Sequence, residues 1–539
     1  MRLGTYRPLV VKPQGYSPAR SAVAPKPGPG PTRAAPAGAA PAGAAGVWVV
    51  AAVAVLAFVA RLLPMLRGGG LSGSDGYDDS VYYTAATALV HGRMPYDDFV
   101  LLHPPGLILF LTPFAELARI TSDTVGQDSA RVAFMALGAL NTVLVMRLGY
   151  RFSPLAGVLA ALLYAVSYPA LYAERTTTLE ALGATTLLVA LTLLVRRHRG
   201  GTSLSPPRLS TGRLVGAGMA LGAGAGVKIW GVVPLAVVAL WVLAGCGRAA
   251  AVRLLGAAAA TVTAICLPFF VRAPGTMLRY VVADQLHRPD NTVSPVRRLT
   301  EMTGLQVVLD GAPPGVVHVA LGVILALTTA AAVVALCTPG SRIFVALLVA
   351  HAVLLLSSPS FYTHYATLTA APAALVLAVA AERARRWASA RAHLRLPALA
   401  AGTALAILGS GIPAVLHPIG TPIPPRLATV ASRVHGCVTA DDPAYLVGMN
   451  VLSRDLAAGC RVWVDVTGLT YDKAGGAANG QVLRTTNRVW QRKVMSYLLS
   501  GSATLVTRRY TDLNAASLAR IRHLPVLARS HGVTLHRVP

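Results

Sequence analysis

Five aspartates lie close together in one short stretch of this chain. Between Gly73 and Pro105 the sequence reads GSDGYDDSVYYTAATALVHGRMPYDDFVLLHPP, directly after the first strongly apolar segment. The whole chain of 539 residues has only 21 acidic residues and a formal net charge of +27. Carboxylates can accept a proton or ligate a metal ion. A cluster this dense at a membrane surface therefore predicts a reaction centre rather than a solvated face.

Two of these acids, Asp78 and Asp79, stand at the head of a predicted helix. Small or apolar residues follow them at helical spacing, which predicts an interfacial helix in the loop. The N-terminus of a helix stabilises negative charge, and a carboxylate beside an apolar surface is suited to act as a general base. Alternatively, the two aspartates only cap the helix and keep the loop hydrated. The small or apolar positions are Val81, Ala85, Ala88 and Leu89.

The elements that must position these acids are predicted to be membrane helices. Hydrophobic residues make up 54% of the chain and charged residues 13%. Apolar runs of roughly 15–20 residues recur between Val47 and Leu416, and a bilayer crossing needs about 20. Much of the basic excess lies in short loops between these runs, as the positive-inside rule expects. The charge therefore does not indicate a nucleic-acid partner.

The segment 104–119 decides the predicted orientation. It is short, opens with two prolines and carries both an acid and an arginine. Counted as a crossing, it would place three basic loops outside, against the positive-inside rule. We interpret it as an interfacial or re-entrant helix, which leaves about eleven spans with the N-terminus inside and the C-terminus outside. The predicted spans are 47–66, 131–150, 155–173, 181–195, 214–228, 229–245, 254–271, 316–337, 343–356, 366–381 and 397–416.

The predicted fold class is mostly α: a polytopic transmembrane helical bundle with interfacial helices in the first outer loop and a small C-terminal α/β extracytoplasmic domain. Residues 1–46 are basic, lack acids and are rich in Pro, Ala and Gly, which predicts a disordered cytoplasmic tail. Residues 47–416 form the membrane domain. Residues 417–539 alternate β-like runs with amphipathic segments, as an α/β domain does. The protein is therefore placed in the cell membrane as a multi-pass chain.

Two cysteines and two aspartates stand out in the C-terminal domain. Cys437 and Cys460 each open a β-like run, and they could form a disulfide if the domain is extracytoplasmic. Asp465 and Asp472 flank a Gly/Thr turn. We interpret them as turn and capping residues rather than catalytic ones.

Several short motifs in this order resemble one family. Asp-Asp-x-x-Tyr from Asp78, then HGRMPY, then Pro-Pro at 104–105, resembles the first outer loop of the C-type superfamily of integral-membrane glycosyltransferases. That superfamily uses lipid-phosphate sugars and includes the protein O-mannosyltransferases and the lipid A aminoarabinose transferases. Its loop pattern continues with an arginine and an acid about a hundred residues later, here Arg175 and Glu180. The segment GAGAGVKIWG, with Lys228, resembles a further Gly-rich family motif, and other details look closer to actinobacterial members.

The chain also departs from the family pattern in two places. The second acid of the pair is Asp79 where the family has Glu. The residue before Pro-Pro is His103 where the family has Lys, which removes a permanent positive charge near the donor phosphate. Donor contacts at that point are therefore expected to differ.

The resemblance implies a reaction and a role for each residue. An acceptor hydroxyl attacks the anomeric carbon of a sugar on a polyprenyl phosphate, with inversion, and the lipid phosphate leaves. Asp78 is the expected base and Asp79 its neighbour, aiding acceptor or metal binding. Glu180, paired with Arg175, is the expected second acid. The expected donor-phosphate or substrate-binding residues are Tyr82, His103, Arg175, Lys228, Arg288, His364 and Tyr365.

Some of these assignments have alternatives. Lys228 either binds phosphate or snorkels to the headgroups. Arg288, together with Arg297 and Arg298, either clamps phosphate or belongs to a solvated or headgroup-binding loop. Tyr365 either contacts the substrate or lies in an interfacial aromatic belt. A divalent ion such as Mg²⁺ or Mn²⁺ could bind the clustered carboxylates, but their spacing does not decide this.

The predicted function is transfer of a sugar from a polyprenyl-phosphate donor to an envelope glycan, glycolipid or protein acceptor at the outer membrane face. The alternative is a transporter or flippase of lipid-linked sugars. Such a protein favours ionisable residues near the bilayer midplane and repeated halves, whereas the acids here gather outside and no convincing repeat is present. A scaffold that recruits envelope proteins would leave the acid cluster unexplained.

Overall fold

Most of the chain folds into helices, many of them apolar. The computed structural model describes residues 44–195, 209–288, 291–389, 411–468, 484–507 and 513–539. Nearly all of the predicted 1–46 tail and most of the predicted span 397–416 lie outside these ranges. Within them, six helices are long and apolar enough to cross a membrane, and three apolar helices are shorter. The chain is therefore a multi-pass membrane protein, but the predicted count of about eleven spans is not confirmed.

Single 3₁₀ turns cover Ile229–Gly231 and Thr363–Ala366 in the membrane part. The helices are α1 (Ala44–Arg67), α2 (Tyr77–Val90), α3 (Gly106–Ile120), α4 (Asp123–Gly149), α5 (Pro154–Val166), α6 (Tyr168–Ala173), α7 (Leu179–Leu194), α8 (Thr211–Val227), α9 (Val232–Cys246), α10 (Arg248–Arg272), α11 (Pro274–Leu278), α12 (Asp284–Leu286), α13 (Pro295–Thr303), α14 (Leu305–Val308), α15 (Pro314–Leu336), α16 (Arg342–Ser357) and α17 (Thr367–Ser389).

The first loop contains the two helices that its sequence predicts. α3 has 15 residues, fewer than the roughly 20 that a crossing requires. α2 begins after Gly76, whose φ of 83° is one that residues with a side chain rarely adopt. α2 was expected to lie on a surface, yet nearly all its residues are buried. It packs on α3 on one side and on the C-terminal domain on another.

Glycines bring α8 and α10 into close contact. A Cβ at Gly218 would lie 2.2 Å from the carbonyl oxygen of Leu254, and one at Gly222 would lie 2.4 Å from that of Ala258. Small residues four apart allow two membrane helices to approach this closely. The Gly-rich segment before Lys228 is therefore a packing surface that fixes the C-terminal end of α8.

A buried ion pair connects α1 to the helices behind the site. Arg61 of α1 donates through Nε to Oε2 of Glu174 at 3.0 Å, and both side chains are fully buried. Asn141 and Tyr164 each donate to the other oxygen of Glu174 at 2.6 Å. A buried charge needs such partners, because an unpaired one is costly to remove from water. The network ties α1, α4 and α5 to the segment that leads into α7.

The C-terminal domain is built on a four-stranded sheet. The strand order is β1-β2-β4-β3; β1 and β2 are parallel and the other neighbours antiparallel. This agrees with the predicted mixture of strands and helices, although the β-like run 460–466 forms no strand. The elements are α18 (Pro425–Ser432), β1 (Val438–Ala440), α19 (Pro443–Gly448), α20 (Leu452–Ala457), α21 (Arg488–Leu498), β2 (Ala503–Val506), α22 (Ala515–Arg522), β3 (Val526–Ser530) and β4 (Val533–Arg537).

A disulfide links two segments of the C-terminal domain. Hydrogen bonds and a shared apolar core connect this domain to the helices around the first loop. Cys437 and Cys460 form the disulfide that the sequence left open. The backbone N–H of Thr124 donates to Asn450 Oδ1 at 3.0 Å. Apolar residues of α2, α3 and the sheet share one core, which includes Tyr83 and Leu505. The predicted domain boundary between residues 416 and 417 stays a prediction. The shared core contains residues from both sides of this boundary.

The contact between α8 and α10 predicts a position-specific effect of adding one methyl group. In Gly222→Ala the new Cβ would overlap the backbone of α10, so the helices must separate, at a cost of about 1–3 kcal/mol. We expect a lower midpoint of thermal unfolding in detergent. Gly256→Ala on α10 is the matched control, since its Cβ meets no described atom within 4 Å. Equal midpoints for the two variants would contradict the packing role.

Candidate functional site

A polar cavity of about 430 Å³ lies where the first loop meets the C-terminal domain. The N-terminal turn of α2, the segment 100–103, the 3₁₀ turn before α17 and the C-terminal domain form its wall. Seven of the ten predicted site residues line it, so the fold brings together residues almost 300 positions apart. The seven are Asp78, Asp79, Tyr82, His103, Arg288, His364 and Tyr365.

Asp78 has the exposure expected of a base. It lies in the first turn of α2, and its side chain is 44% exposed to the cavity and solvent. Its Oδ2 atom lies 3.8 Å from Nε2 of His364. The carboxylate is therefore accessible to a substrate hydroxyl and has an imidazole beside it.

Asp79 has a different environment, although it is the next residue. It is 2% exposed and forms a buried ion pair with Arg131 of α4, whose Nε lies 3.0 Å from Oδ2. Its Oδ1 accepts hydrogen bonds from the backbone N–H of Thr177 at 2.7 Å and from the Thr177 hydroxyl at 2.6 Å. Both carboxylate oxygens are thus used in holding α2, α4 and the segment before α7 together.

Glu180 and Lys228 form the second charged pair of the site. Lys228 Nζ donates to Glu180 Oε1 at 2.6 Å, and both residues are buried. The same Glu180 oxygen lies 4.0 Å from His364 Nε2, so His364 stands between Glu180 and Asp78. Glu180 Oε2 is buried and has no hydrogen-bond partner among the described residues. A buried carboxylate oxygen without a partner is unusual in a folded protein, so it points to a ligand that donates a hydrogen bond.

The predicted pairing of Glu180 with Arg175 is wrong. Arg175 Nε donates to Asp75 Oδ2 at 3.0 Å, and its guanidinium lies over the Tyr172 ring at 4.4 Å. Arg175 therefore does not line the cavity, whereas its partner Asp75 does. The spacing of five residues between Arg175 and Glu180 spans the turn before α7, which separates the two side chains.

Tyr365 lies between two cations. Its hydroxyl accepts a hydrogen bond from Arg288 at 2.6 Å, and Lys228 Nζ lies 3.7 Å from the centre of its ring. The Trp230 ring also faces Lys228, at 4.3 Å. These contacts place both positive groups beside the same aromatic ring.

His103 occupies the place of the family lysine and is buried at 5% exposure. Its ring lies 5.9 Å from that of Tyr82. Burial lowers the pKa of His103 well below its ordinary value, and the positive charges of Lys228 and Arg288 lower it further. Burial and the charge of Asp78 raise the pKa of Tyr82. His103 therefore contributes no permanent charge, and its Nδ1 has no hydrogen-bond partner among the described residues.

Two further arginines of the 272–314 loop serve structure in the described chain. Arg298 is buried and donates to the carbonyl oxygens of Val293 and Leu355, at 3.0 and 2.9 Å. Arg297 pairs with Glu301 at 3.0 Å. Of the three candidate clamps, Arg288 is the one that lines the cavity.

A metal site is not assembled in the described residues. No group of three or more His, Cys, Asp or Glu side chains among them is arranged to hold an ion. Asp78 and Glu180 approach the same imidazole, but Glu180 is already bonded to Lys228.

An apolar crevice begins where the polar cavity ends. Glu180, in the first turn of α7, Lys228 and Trp230 line it together with deeper residues of α7, α8 and α17. One end of the crevice thus contains the charged residues Glu180 and Lys228. Two turns further along α7, its walls are aliphatic. The aliphatic lining includes Leu187, Leu188, Leu221, Leu368 and Ala371.

Sequence reasoning missed the part of the wall that the C-terminal domain supplies. Asp465, Thr467 and Arg484 line the cavity, next to Tyr77 of α2. Asp465 does have the predicted turn role, because its Oδ1 accepts the Gly468 N–H at 2.8 Å. Nothing in the local pattern around Asp465 indicates that the turn faces the acid cluster. Asp472 lies outside the described residues.

The fold of the chain resembles solved membrane enzymes. The sequence matches no family model and no curated protein. The fold is similar to that of ArnT from Cupriavidus metallidurans bound to undecaprenyl phosphate, at 16% identity and a TM-score of 0.58, covering 92% of this chain and 99% of that one. It is also similar to the oligosaccharyltransferase AglB from Archaeoglobus fulgidus in complex with an inhibitory peptide and a dolichol-phosphate, at 14% identity and a TM-score of 0.52, covering 85% and 69%. The predicted resemblance to the C-type superfamily is confirmed at the level of the fold.

Substitution of the two adjacent aspartates is expected to lower stability by very different amounts. Asp79→Asn removes the charge that compensates buried Arg131, so we expect a loss of about 3–5 kcal/mol in the free energy of unfolding. Asp78→Asn alters a half-exposed carboxylate at a helix N-terminus and should cost about 1 kcal/mol or less. Denaturant unfolding of both variants in detergent measures the difference. Similar losses would contradict the positioning role of Asp79.

The environment of His103 predicts a pH dependence of stability. The folded pKa lies below the unfolded value of about 6.5, so the unfolded chain takes up the proton first as pH falls. The contribution of neutral His103 is therefore complete above pH about 6.5 and is lost as pH falls toward the folded pKa. We expect His103→Gln to show a shallower decline of stability below pH about 6.5 than the wild type. Parallel curves from thermal unfolding at several pH values would contradict this.

Proposed function

We propose that this protein is an integral-membrane glycosyltransferase. It moves a sugar from a polyprenyl-phosphate donor to a hydroxyl acceptor at the outer membrane face, and Asp78 is the base. The observation that supports the proposal is that the polar cavity and the apolar crevice adjoin each other. An accessible carboxylate, Asp78, meets the buried Glu180–Lys228 pair through His364, where the polar cavity adjoins the apolar crevice.

The donor fits this junction by its three chemical parts. The polyprenyl chain is apolar and matches the crevice between α7, α8 and α17. The phosphate lies at the junction, where Lys228 contacts the ring of Tyr365 and Arg288 donates to its hydroxyl. The sugar then extends from the junction into the polar cavity, and the unpartnered Glu180 Oε2 at the junction can accept a hydrogen bond from one of its hydroxyls.

The reaction is a single displacement. The acceptor oxygen forms a bond to the anomeric carbon while the bond from that carbon to the phosphate oxygen breaks, and the phosphate leaves with the electron pair. The acceptor proton passes to Asp78. Lys228 and Arg288 stabilise the charge that develops on the departing phosphate. Attack from the side opposite the phosphate inverts the configuration of the sugar.

The other charged residues support these groups. His364 lies within 4.0 Å of both Asp78 and Glu180, so it orients the two acids relative to each other. Asp79 acts as a positioning residue, since both of its oxygens are used within the protein. The family lysine has no charged equivalent at His103, and Arg288 supplies the second cation from a different loop.

The location at the outer face is part of the proposal. Structural disulfides persist in oxidising compartments, and the C-terminal domain contains one between Cys437 and Cys460. That domain packs on α2, so the acid cluster faces the same side of the membrane. The acceptor at this face is an envelope glycan, glycolipid or protein.

Replacing the base should abolish chemistry and spare donor binding. We expect Asp78→Asn to lower the rate of transfer by about 10²–10⁴-fold, because the amide cannot take up the proton. Arg288→Gln should instead raise the KM for the donor. Wild-type and variant proteins in membranes are assayed with a panel of radiolabelled polyprenyl-phosphate sugars, and binding of unlabelled polyprenyl phosphate is measured separately.

Asp97→Asn is the matched control in the same loop. Asp97 pairs with Arg272 at the surface, and both side chains are about half exposed. It should transfer sugar at the wild-type rate. Full activity of Asp78→Asn would contradict the base assignment. Movement of labelled lipid-linked sugar across vesicles without any glycoside product would contradict the enzyme itself.

A further inference from the structure

The C-terminal domain contributes a carboxylate to the cavity. The reaction proposed above assigns no role to this carboxylate. Asp465 lies in the turn 465–468 and lines the cavity together with Asp78. It is partly exposed, unlike Asp441, Asp442 and Asp455, the other acids of this domain within the described residues. The site therefore contains an acid from a domain that carries none of the donor-binding groups.

The hydrogen bonds of Asp465 all involve one of its two oxygens. Oδ1 accepts from the Tyr77 hydroxyl at 3.0 Å, from the Gly468 N–H at 2.8 Å and from the Thr467 hydroxyl at 3.1 Å. None of the described residues donates to Oδ2. The turn thus fixes the carboxylate through one oxygen and presents the other as an acceptor.

Asp465 is also held close to the base. Tyr77, which donates to it, is the residue directly before Asp78. Asp465 and Asp78 line the same cavity, and the negative charge of Asp78 adds to burial in raising the pKa of Asp465. A ligand that contacts Asp465 Oδ2 therefore lies in the cavity that Asp78 also lines.

We propose that Asp465 binds the acceptor and orients its attacking hydroxyl toward Asp78, and that this acceptor is a sugar with several free hydroxyl groups. The inference rests on the glycosyltransferase function proposed above. A carboxylate oxygen accepts hydrogen bonds from hydroxyls and repels phosphate, so Asp465 suits the neutral acceptor rather than the donor phosphate.

The rest of the wall favours a sugar as the acceptor. Tyrosine rings and hydroxyl-bearing threonines line the cavity around the two acids, among them Tyr77, Tyr172, Thr176 and Thr467. A sugar ring presents apolar faces to aromatic side chains and hydroxyls to polar ones, whereas a peptide would bring one reactive hydroxyl and backbone groups to be satisfied.

The test separates acceptor binding from donor chemistry. Full-length protein in nanodiscs is given the labelled polyprenyl-phosphate sugar that the wild type uses. Octyl hexosides and octyl pentosides, below their micelle concentrations, serve as acceptors, and a Ser/Thr peptide is run in parallel. Asp465→Asn retains an Oδ1 acceptor for the turn but replaces the negative oxygen with an amide. We expect the KM for the glycoside to rise about tenfold or more, with kcat and slow hydrolysis of the donor by water nearly unchanged.

Two controls distinguish a positioning role from a loss of structure. Asp455→Asn makes the same change at a buried acid that accepts from the Val438 N–H and lies away from the cavity, and it should leave the glycoside KM unchanged. Tyr77→Phe removes the link between α2 and the turn without altering Oδ2, so its effect on KM should be smaller than that of Asp465→Asn. Thermal unfolding confirms that each variant is folded.

Several results would overturn the inference. An unchanged KM for the glycoside in Asp465→Asn would show that Asp465 does not contact the acceptor. An equal loss of donor hydrolysis would show that the substitution disrupts the whole site and not acceptor binding alone. Transfer by the wild type to the peptide but to no glycoside refutes the sugar acceptor while leaving the proposed function intact. Neither transfer nor hydrolysis by the wild type with any donor would refute both proposals together.

Discussion

The site depends on one buried interaction, the ion pair between Asp79 and Arg131. Arg131 of α4 holds Asp79 on one oxygen, and Thr177 donates two hydrogen bonds to the other. The pair therefore fixes the start of α2 against the segment that leads into α7. Asp78 precedes Asp79 by one residue and Glu180 follows Thr177 by three, so this anchor brings both acids to the imidazole of His364.

Opposite charges are distributed over the site in a way that suits a displacement at an anomeric carbon. Glu180 and Lys228 neutralise each other where the surroundings are most apolar, which limits the cost of burying them. Arg288 bonds to the Tyr365 hydroxyl, and Asp78 remains partly exposed. Asp78 and Arg288 thus line the cavity, and Lys228 lies where the cavity adjoins the crevice. The buried Asp79–Arg131 pair positions the helix that carries Asp78.

The C-terminal domain is part of the same structure as the membrane helices. It shares an apolar core with α2 and α3, and hydrogen bonds from its turns reach Tyr77 and the start of α4. Because α2 is packed between the two parts, its position responds to both. A ligand bound at the C-terminal part of the cavity wall would therefore be held in a fixed position relative to Asp78.

The sequence by itself determined the membrane class, the acid cluster at the start of α2 and the order of motifs that indicate the fold, because hydrophobicity and helix signals are local properties. The resemblance to the family also led us to predict roles for Lys228, His364 and Tyr365, which line the crevice or the cavity. Only the tertiary structure decided which charged residues form ion pairs. Glu180 pairs with Lys228 and not with Arg175, and Asp79 pairs with Arg131. The tertiary structure also brings Asp465 to the cavity, nearly 400 residues along the chain from the acid cluster. Such pairings depend on helix packing and on the direction of each side chain, and spacing along one chain specifies neither.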